Sequence, residues 1–197
     1  MPSDAGNPGD PESGKPLRAD ALRNRQRLID TARSAFATHG VAASLEDIAR
    51  NAGVGIGTLY RHFPTRDALI EEVYRSATTR LAESAVELSE CHAPDEALRQ
   101  WLLLFIDHLT TKKLMASALQ SLVGGPGELY AKSTNQIVRS ITMLMKRAED
   151  AGVLRAAMDP LDLLRAIAGV SSNTPDSQWG VSARRLVDIL IAGMRVS

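Results

Sequence analysis

The chain has 197 residues, 44% of them hydrophobic and only 4% aromatic, and its 23 Lys and Arg residues balance its 23 Asp and Glu residues. This length and apolar content suffice for one or two packed helical domains with a core. One cysteine, Cys91, excludes a framework of internal disulfides, so burial and helix packing must hold the fold, and a reduced cytoplasm is the expected location.

The first 18 residues are rich in Pro, Gly, Ser and acidic residues and contain no apolar run. They predict a disordered tail that is neither a signal peptide nor a transmembrane helix, and no membrane association is expected. The zero net charge hides an uneven distribution, because nine basic residues between Lys15 and Arg66 face four acidic ones there. This excess of about five positive charges favours phosphate binding by the N-terminal part.

Helical periodicity begins with an apolar stripe of Leu28, Ile29, Ala32, Ala35 and Phe36, and Gly40 is predicted to end this first helix. A second short helix follows Ser44, which is predicted to be its N-cap, with Asp47 at the reciprocal position of a capping box. Gly53 breaks that helix. A third helix begins near Gly55, and its Leu59 and Phe63 are spaced to pack inward. Helix, glycine turn and helix indicate a DNA-reading unit.

The segment IARNAGVGIGTLYRHFPTRDALI resembles the DNA-binding signature of TetR-type transcriptional regulators, and the resemblance covers about Leu22 to Tyr74. It implies a DNA-binding domain over residues 19–66 and a helical ligand-binding and dimerisation domain over residues 67–197. It also implies that the second and third helices contact DNA, the third being the recognition helix, and that Thr65 and Arg66 contact the DNA backbone. The DNA-binding residues so predicted are Ser44, Gly55, Ile56, Gly57, Thr58, Tyr60, Arg61, His62, Thr65 and Arg66.

Two positions depart from the family pattern. Gly55 stands where the family usually has serine or threonine, which removes a hydroxyl contact, and Arg66 stands where it usually has lysine, which keeps the charge. Beyond Thr65, a long connecting helix is predicted over residues 65–90, and no alternating strand pattern of useful length occurs. The predicted fold is therefore all-α, a three-helix DNA-binding head plus a helical second domain, about nine helices in all.

The residues after position 94 form strongly apolar helices that could enclose a ligand cavity with a few polar handles. For any one of these side chains a place in the core is the commoner outcome, and His108 is expected at a helix surface with a hydrogen-bond partner. The candidate ligand-binding residues are Trp101, Phe105, His108, Met115, Leu122, Tyr130, Ile137, Ile141, Met145 and Ile167.

The last two predicted helices, about 160–172 and 182–196, are too apolar to face water alone. Their small residues permit close helix approach, so a four-helix interface between two copies is predicted, with an intrachain core as the alternative. The candidate dimer residues are Ala166, Gly169, Val170, Leu186, Ile189, Leu190 and Gly193.

The four histidines show no metal-ligand spacing, so neither a metal nor another cofactor is predicted. An enzyme is disfavoured because no acid and base pair or activated nucleophile is apparent. The resemblance implies a homodimer that binds a palindromic double-stranded DNA operator, usually as a repressor, and is released by a small apolar molecule. The alternative is a DNA-binding regulator without an inducer, controlled by a protein partner.

Overall fold

The computed structural model describes residues 14–155, 158–173 and 179–196, and within these ranges the chain forms nine α-helices and one 3-10 turn. This confirms the predicted all-α class. The helices are α1 (Gly14–His39), α2 (Leu45–Asn51), α3 (Ile56–His62), α4 (Arg66–Cys91), α5 (Pro94–Leu114), α6 (Ala116–Gln120), α7 (Gly127–Asp150), α8 (Pro160–Asn173) and α9 (Trp179–Met194), and the 3-10 turn is Gly40–Ala42.

An N-terminal tail was predicted over residues 1–18. Its residues 1–13 lie outside the described residues, and residues 14–18 belong to α1. Helix α1 therefore begins at Gly14, within the predicted tail, and the disorder of the tail stays a prediction. Lysine, leucine and arginine are good helix formers, and Pro16 stands in the first turn of α1, where its missing N–H has no helical acceptor.

Buried apolar side chains form two clusters. The first, called here the head cluster, joins α1, α2, α3 and α6 with the N-terminal part of α4. It therefore continues past the predicted domain boundary at residue 66. The second, the C-terminal cluster, joins the remainder of α4 with α5, α7, α8 and α9. Trp101 anchors the C-terminal cluster, since it is fully buried and its Nε1 donates a hydrogen bond to the Leu81 carbonyl at 2.8 Å.

Helix α6 belongs structurally to the head. Met115, Ala118 and Leu119 are completely buried in the head cluster. A second link is polar, because the Val123 N–H donates to the Asp67 carboxylate at 3.0 Å. The head therefore rests on α4 and α6 together.

The last two helices pack on each other but leave an apolar face uncovered within one chain. Ile189 is 61% exposed and Val181 is 63% exposed, and the small residues Ala166, Gly169 and Gly193 are exposed as well. After α7, an antiparallel bridge between Leu154 and Arg195 ties the chain end to the bundle. No helix in the described ranges is both long and apolar enough to cross a bilayer.

Candidate nucleic-acid interface

Helix α2 begins at a side-chain cap. The Ser44 hydroxyl oxygen accepts a hydrogen bond from the Asp47 N–H at 3.2 Å, which confirms the predicted N-cap. The reciprocal half of the predicted capping box is absent, because the Asp47 carboxylate pairs with Arg50 and the Ser44 hydroxyl donates to Glu46 at 3.1 Å. Aspartate is one methylene shorter than the usual glutamate, which favours this outward pairing.

The turn between α2 and α3 depends on a glycine. Gly53 has a φ of +70°, its N–H donates to the Arg50 carbonyl at 3.0 Å, and the next N–H, from Val54, donates to the Ala49 carbonyl at 3.0 Å. These two bonds form a Schellman motif, which ends a helix with a left-handed residue. The turn connects α2 to α3 through residues 52–55, and the two helices are in contact.

Helix α3 separates its side chains into a buried and an exposed face. Leu59 is completely buried and the following Phe63 is 3% exposed, so these two hold α3 in the head cluster. Ile56 is 37% exposed and Tyr60 is 45% exposed on the other side. An apolar methyl-bearing residue and a tyrosine on one exposed face suit contact with base edges and phosphates.

None of the ten predicted DNA-binding residues is buried, and they lie at the starts of α2 and α4 and along α3. Five of them are exposed and lie on α3 or at its N-cap: Gly55, Ile56, Gly57, Tyr60 and Arg61. Thr58 and His62 are half-buried beside them, Ser44 is half-buried at the start of α2, and Thr65 is exposed as the N-cap of α4. The structure thus places all of these residues in the head.

The Arg66 side chain makes several contacts within the head. Its guanidinium donates to the backbone carbonyls of Ala43 at 2.7 Å and Val41 at 2.8 Å and lies 5.2 Å from the centre of the Phe36 ring. The planar fork of arginine presents its donors in a fixed geometry and stacks on an aromatic ring, whereas the lysine ammonium is a compact point charge. Arg66 therefore fastens the 3-10 turn to α4, and its predicted contact with the DNA backbone stays a prediction.

The N-termini of α3 and α4 are capped differently. Thr65 accepts a hydrogen bond from the Ala68 N–H at 3.0 Å and so caps α4. Gly55 occupies the N-cap of α3 with extended backbone and offers no side-chain acceptor. The departure from the family pattern at Gly55 therefore removes a helix cap in addition to a hydroxyl.

Most basic residues of the head are paired within the chain. Arg23 pairs with Asp20, Arg33 with Asp30, and Arg50 with Asp47. Arg25 pairs with Glu72 at 3.0 Å and lies 5.3 Å from the centre of the Phe63 ring. In the part of the chain that the structure describes, the exposed side chain of Arg61 forms no hydrogen bond or ion pair. The positive excess read from the sequence already subtracts Asp20, Asp30 and Asp47, so of these pairs only the one with Glu72 lowers it. Arg61 is available for a phosphate or a base.

The ten predicted ligand-binding residues do not form one site. Phe105, His108 and Ile137 line a cavity of about 150 Å³ between α4, α5, α7 and α8. Met115 and Leu122 are buried in the head cluster, and Trp101 stacks on Phe105 with its centroid 6.0 Å away. The remaining residues are core or lie at its edge. Trp101, Ile141, Met145 and Ile167 belong to the C-terminal cluster, and Tyr130 packs against the head cluster.

His108 is not the surface histidine that the sequence suggested. It is 7% exposed, its Nδ1 is buried without a hydrogen-bond partner among the described residues, and its ring lies 5.7 Å from that of Tyr74. Burial and, secondly, the charge of Lys112 lower the pKa of His108 to about 4, so the ring is neutral at pH 7. Asp107 is exposed, whereas the neighbouring His108 lies on the buried face of α5.

Eight of the eleven residues that line the cavity were missed from the sequence, Lys112 and Tyr74 among them. Lys112 follows His108 by four positions, so helical spacing alone places both on one face of α5 and could have indicated this residue. Tyr74 also lines the cavity, and no local pattern brings it there, because it comes from α4. Burial, followed by the nearby Tyr130, raises the pKa of Tyr74 to about 12.

Comparison with protein-family models gives two matches. The model for bacterial regulatory proteins of the tetR family matches residues 28–73, which contain α2, α3 and the Schellman turn. A second model, the C-terminal domain of SbtR-like transcriptional regulators, matches residues 93–196. The second match covers more than half of the chain, in a region where the sequence patterns identified no family.

Individual relatives agree with these matches. The chain is 40% identical to the TetR transcriptional regulator SCO0520 of Streptomyces coelicolor, with a TM-score of 0.79, over 88% of this chain and 99% of that one. A TetR regulatory protein of Mycobacterium vanbaalenii is 31% identical, with a TM-score of 0.74, over 92% and 100%.

Among curated proteins, the probable acrEF/envCD operon repressor of Escherichia coli K12 is 34% identical over 98 residues, 48% of this chain and 44% of that protein. The chain thus spans less than half the length of this curated relative.

Proposed function

The chain belongs to the TetR family of bacterial regulatory proteins, which are DNA-binding transcriptional regulators and not enzymes, and we propose that it is a repressor that a small molecule releases from a palindromic operator. The observation that carries the proposal is the exposed face of α3. Tyr60 and the unpaired Arg61 face solvent there while Leu59 and Phe63 fix the helix from behind.

Repression requires two heads, because one short recognition helix reads few bases, and half-sites are read about 34–36 Å apart. The uncovered face of α8 and α9 supports a two-fold pair. It combines the exposed Ile189 with small residues that permit close helix approach. An Ile189→Asp variant should therefore shift the protein from dimer to monomer in sedimentation and weaken operator binding with it.

Release by a small molecule is supported by the cavity between α4, α5, α7 and α8. Helix α4 lines this cavity through Tyr74, and the same residue is buried in the head cluster. A ligand that prefers one position of α4 would therefore change the position of the head. The shift is limited by the differential affinity of the ligand for the two states, typically about 1–3 kcal/mol.

The test begins with operators selected from random DNA by the purified full-length protein. The double variant Tyr60→Ala plus Arg61→Ala should lose selective binding, since the exposed face of α3 then lacks its tyrosine and its cation. Arg23→Ala on α1, whose side chain is 68% exposed and paired with Asp20, is the matched control and should bind normally. Unchanged affinity of the double variant would overturn the assignment of α3.

Release is tested by adding a chemical library to the protein–operator complex and measuring fluorescence anisotropy of the DNA. A compound that lowers anisotropy supports the ligand-responsive repressor. If no compound does so and a protein copurifies that loosens the complex, control by a protein partner replaces the small-molecule effector.

A further inference from the structure

We infer that the effector of this regulator is a small organic acid whose carboxylate is bound by Lys112 and His108 in the cavity between α4, α5, α7 and α8. The inference rests on the proposed ligand response and specifies its chemical class. The sequence predicted a small apolar effector.

The charges that line the cavity are all of one sign. Lys112 and Arg165 are cations, His108 is neutral, and none of the described lining residues carries a carboxylate; Arg165 pairs with Asp162 at 3.1 Å, which leaves Lys112 as the cation without an acidic partner. The remaining lining residues are apolar or hydroxyl-bearing: Tyr74, Phe105, Leu109, Thr134, Ile137, Leu161, Leu164 and Ala168. A positive and otherwise apolar lining favours an anion that has a hydrocarbon body.

Lys112 is a half-buried cation that lacks an acidic partner. Its Nζ lies 4.0 Å from the centre of the Tyr130 ring, and no carboxylate of the described residues lies within 4.0 Å of it. Burial lowers the pKa of Lys112, which shows that its charge has lost part of its hydration. A ligand carboxylate would restore a favourable partner to this charge.

His108 adds the second polar group. It is 7% exposed, and its Nδ1 is a buried nitrogen without a hydrogen-bond partner in the part of the chain that the structure describes. Buried polar atoms are almost always hydrogen-bonded, so an orphan nitrogen on a cavity wall indicates a missing acceptor or donor. His108 and Lys112 lie one helical turn apart on α5. The two oxygens of a carboxylate can therefore contact both side chains.

The size of the cavity limits the hydrocarbon body. Its volume is about 150 Å³, and an apolar protein cavity of this order admits benzene. Phe105, Ile137 and Leu164 provide the apolar wall, whereas Thr134 and Arg165 are exposed at the edge. Aromatic or short-chain aliphatic monocarboxylates have suitable dimensions.

A neighbouring cavity of about 390 Å³ does not share the excess of positive charge. It lies between α4, α7 and residues 122–125, and its lining pairs basic with acidic groups, namely Arg75 and Lys132 with Glu71 and Glu128. Arg75 bonds Glu71 at 3.4 Å and Lys132 bonds Glu128 at 2.6 Å. These cations already have partners, so the smaller cavity is the acid site.

The test titrates full-length protein with benzoate and hexanoate and with their uncharged counterparts, benzyl alcohol and hexan-1-ol, by isothermal calorimetry. At least one acid should bind about tenfold or more tightly than its alcohol, as expected for a hydrogen-bonded charge. Lys112→Met keeps the apolar stem and should weaken acid binding about tenfold, and His108→Leu should also weaken it. Lys146→Met, an exposed lysine of α7, is the control and should change nothing.

Thermal melting checks that each variant folds. The inference is overturned if neither acid binds, if the alcohols bind as tightly as the acids, or if Lys112→Met leaves acid affinity unchanged. The library assay for operator release is run on Lys112→Met in parallel. Release that persists in this variant would retain the ligand-responsive repressor while rejecting the acid site, so the two failures are distinguishable.

Discussion

The Arg66 guanidinium donates a 2.7 Å hydrogen bond to the Ala43 carbonyl, which joins the start of α4 to the residue that precedes the N-cap of α2. A second bond to Val41 and the contact with the Phe36 ring accompany it. One side chain thus connects α1, the 3-10 turn and α4. Its charge is used inside the head, although a lysine at this position in the family pattern had suggested a role at the DNA backbone.

Replacing Arg66 by alanine should therefore lower the free energy of unfolding by about 2–4 kcal/mol, because charged hydrogen bonds to partly buried carbonyls are lost. Urea titration followed by circular dichroism measures the change. Arg50→Ala is the control, since its side chain is 73% exposed and pairs with Asp47, and it should cost less than about 1 kcal/mol. Equal stability of the two variants would contradict the structural role of Arg66.

Gly40 is expected to tolerate no side chain. Its φ is +53°, and a Cβ atom there would collide with the Ser117 hydroxyl of α6. Gly40→Ala should cost about 2–3 kcal/mol, whereas Gly152→Ala, with a φ of +68° but open space, should cost only the backbone strain of about 1–2 kcal/mol. Adding Ser117→Ala to Gly40→Ala should recover about 1 kcal/mol in a double-mutant cycle measured by thermal melting. No recovery would show that the two positions are not in contact.

Gly55→Ser should restore the missing cap of α3. A Cβ atom at Gly55 meets nothing within 4 Å, and its backbone is already extended as an N-cap requires. The gain in stability should be a few tenths of a kcal/mol, and operator affinity should rise about fivefold if the new hydroxyl also bonds a phosphate. Gly55→Ala adds the same carbon without the oxygen, so equal affinities for the two variants would assign the gain to the carbon alone.

Gly57→Leu should separate folding from DNA binding. No atom lies within 4 Å of a Cβ built at Gly57, so the head should fold with unchanged or slightly higher stability, since glycine is a poor helix former. Operator binding should weaken about tenfold or more, ~1.4 kcal/mol, because the side chain would block close approach to the groove. Gly127→Leu at the start of α7, also in open space, should bind DNA normally in the same anisotropy assay. Normal binding by Gly57→Leu would place this glycine away from DNA.

His108 should make the protein less stable in acid. Its pKa of about 4 in the folded protein lies below its ordinary value of 6.5, so the unfolded chain binds a proton that the folded chain excludes. Stability is therefore fully present above about pH 6.5 and falls as the pH decreases toward 4, by at most about 3 kcal/mol.

The measurement compares unfolding free energies across this range for the wild type and His108→Phe, which retains a ring beside Tyr74. The wild type should lose more stability than the variant between pH 6.5 and 4, while the exposed His92→Gln should follow the wild type. A His108 imidazole that titrates near 6.5 in NMR spectra would contradict the buried neutral state.

Local patterns predicted the fold well where one residue type has one local consequence. Gly53 in a left-handed turn, Ser44 as an N-cap, and Leu59 and Phe63 as buried anchors were all foreseeable from spacing and backbone preference. The contacts of α6 were not foreseeable. Met115 looked like a cavity residue because apolar periodicity marks an inward face without saying which of two cores that face enters.

The sequence by itself determined the helical class and the helix-turn-helix head, because capping, glycine turns and helical periodicity act between residues a few positions apart. The resemblance of residues 48–70 to a known signature indicated the family. Only the tertiary structure decided which side chains meet across helices. It turned Arg66 toward the carbonyls of Val41 and Ala43, and it buried His108 beside Tyr74 and Lys112. Such contacts depend on how α4, α5 and α7 pack together, and the burial they produce sets the charge state that any effector would meet.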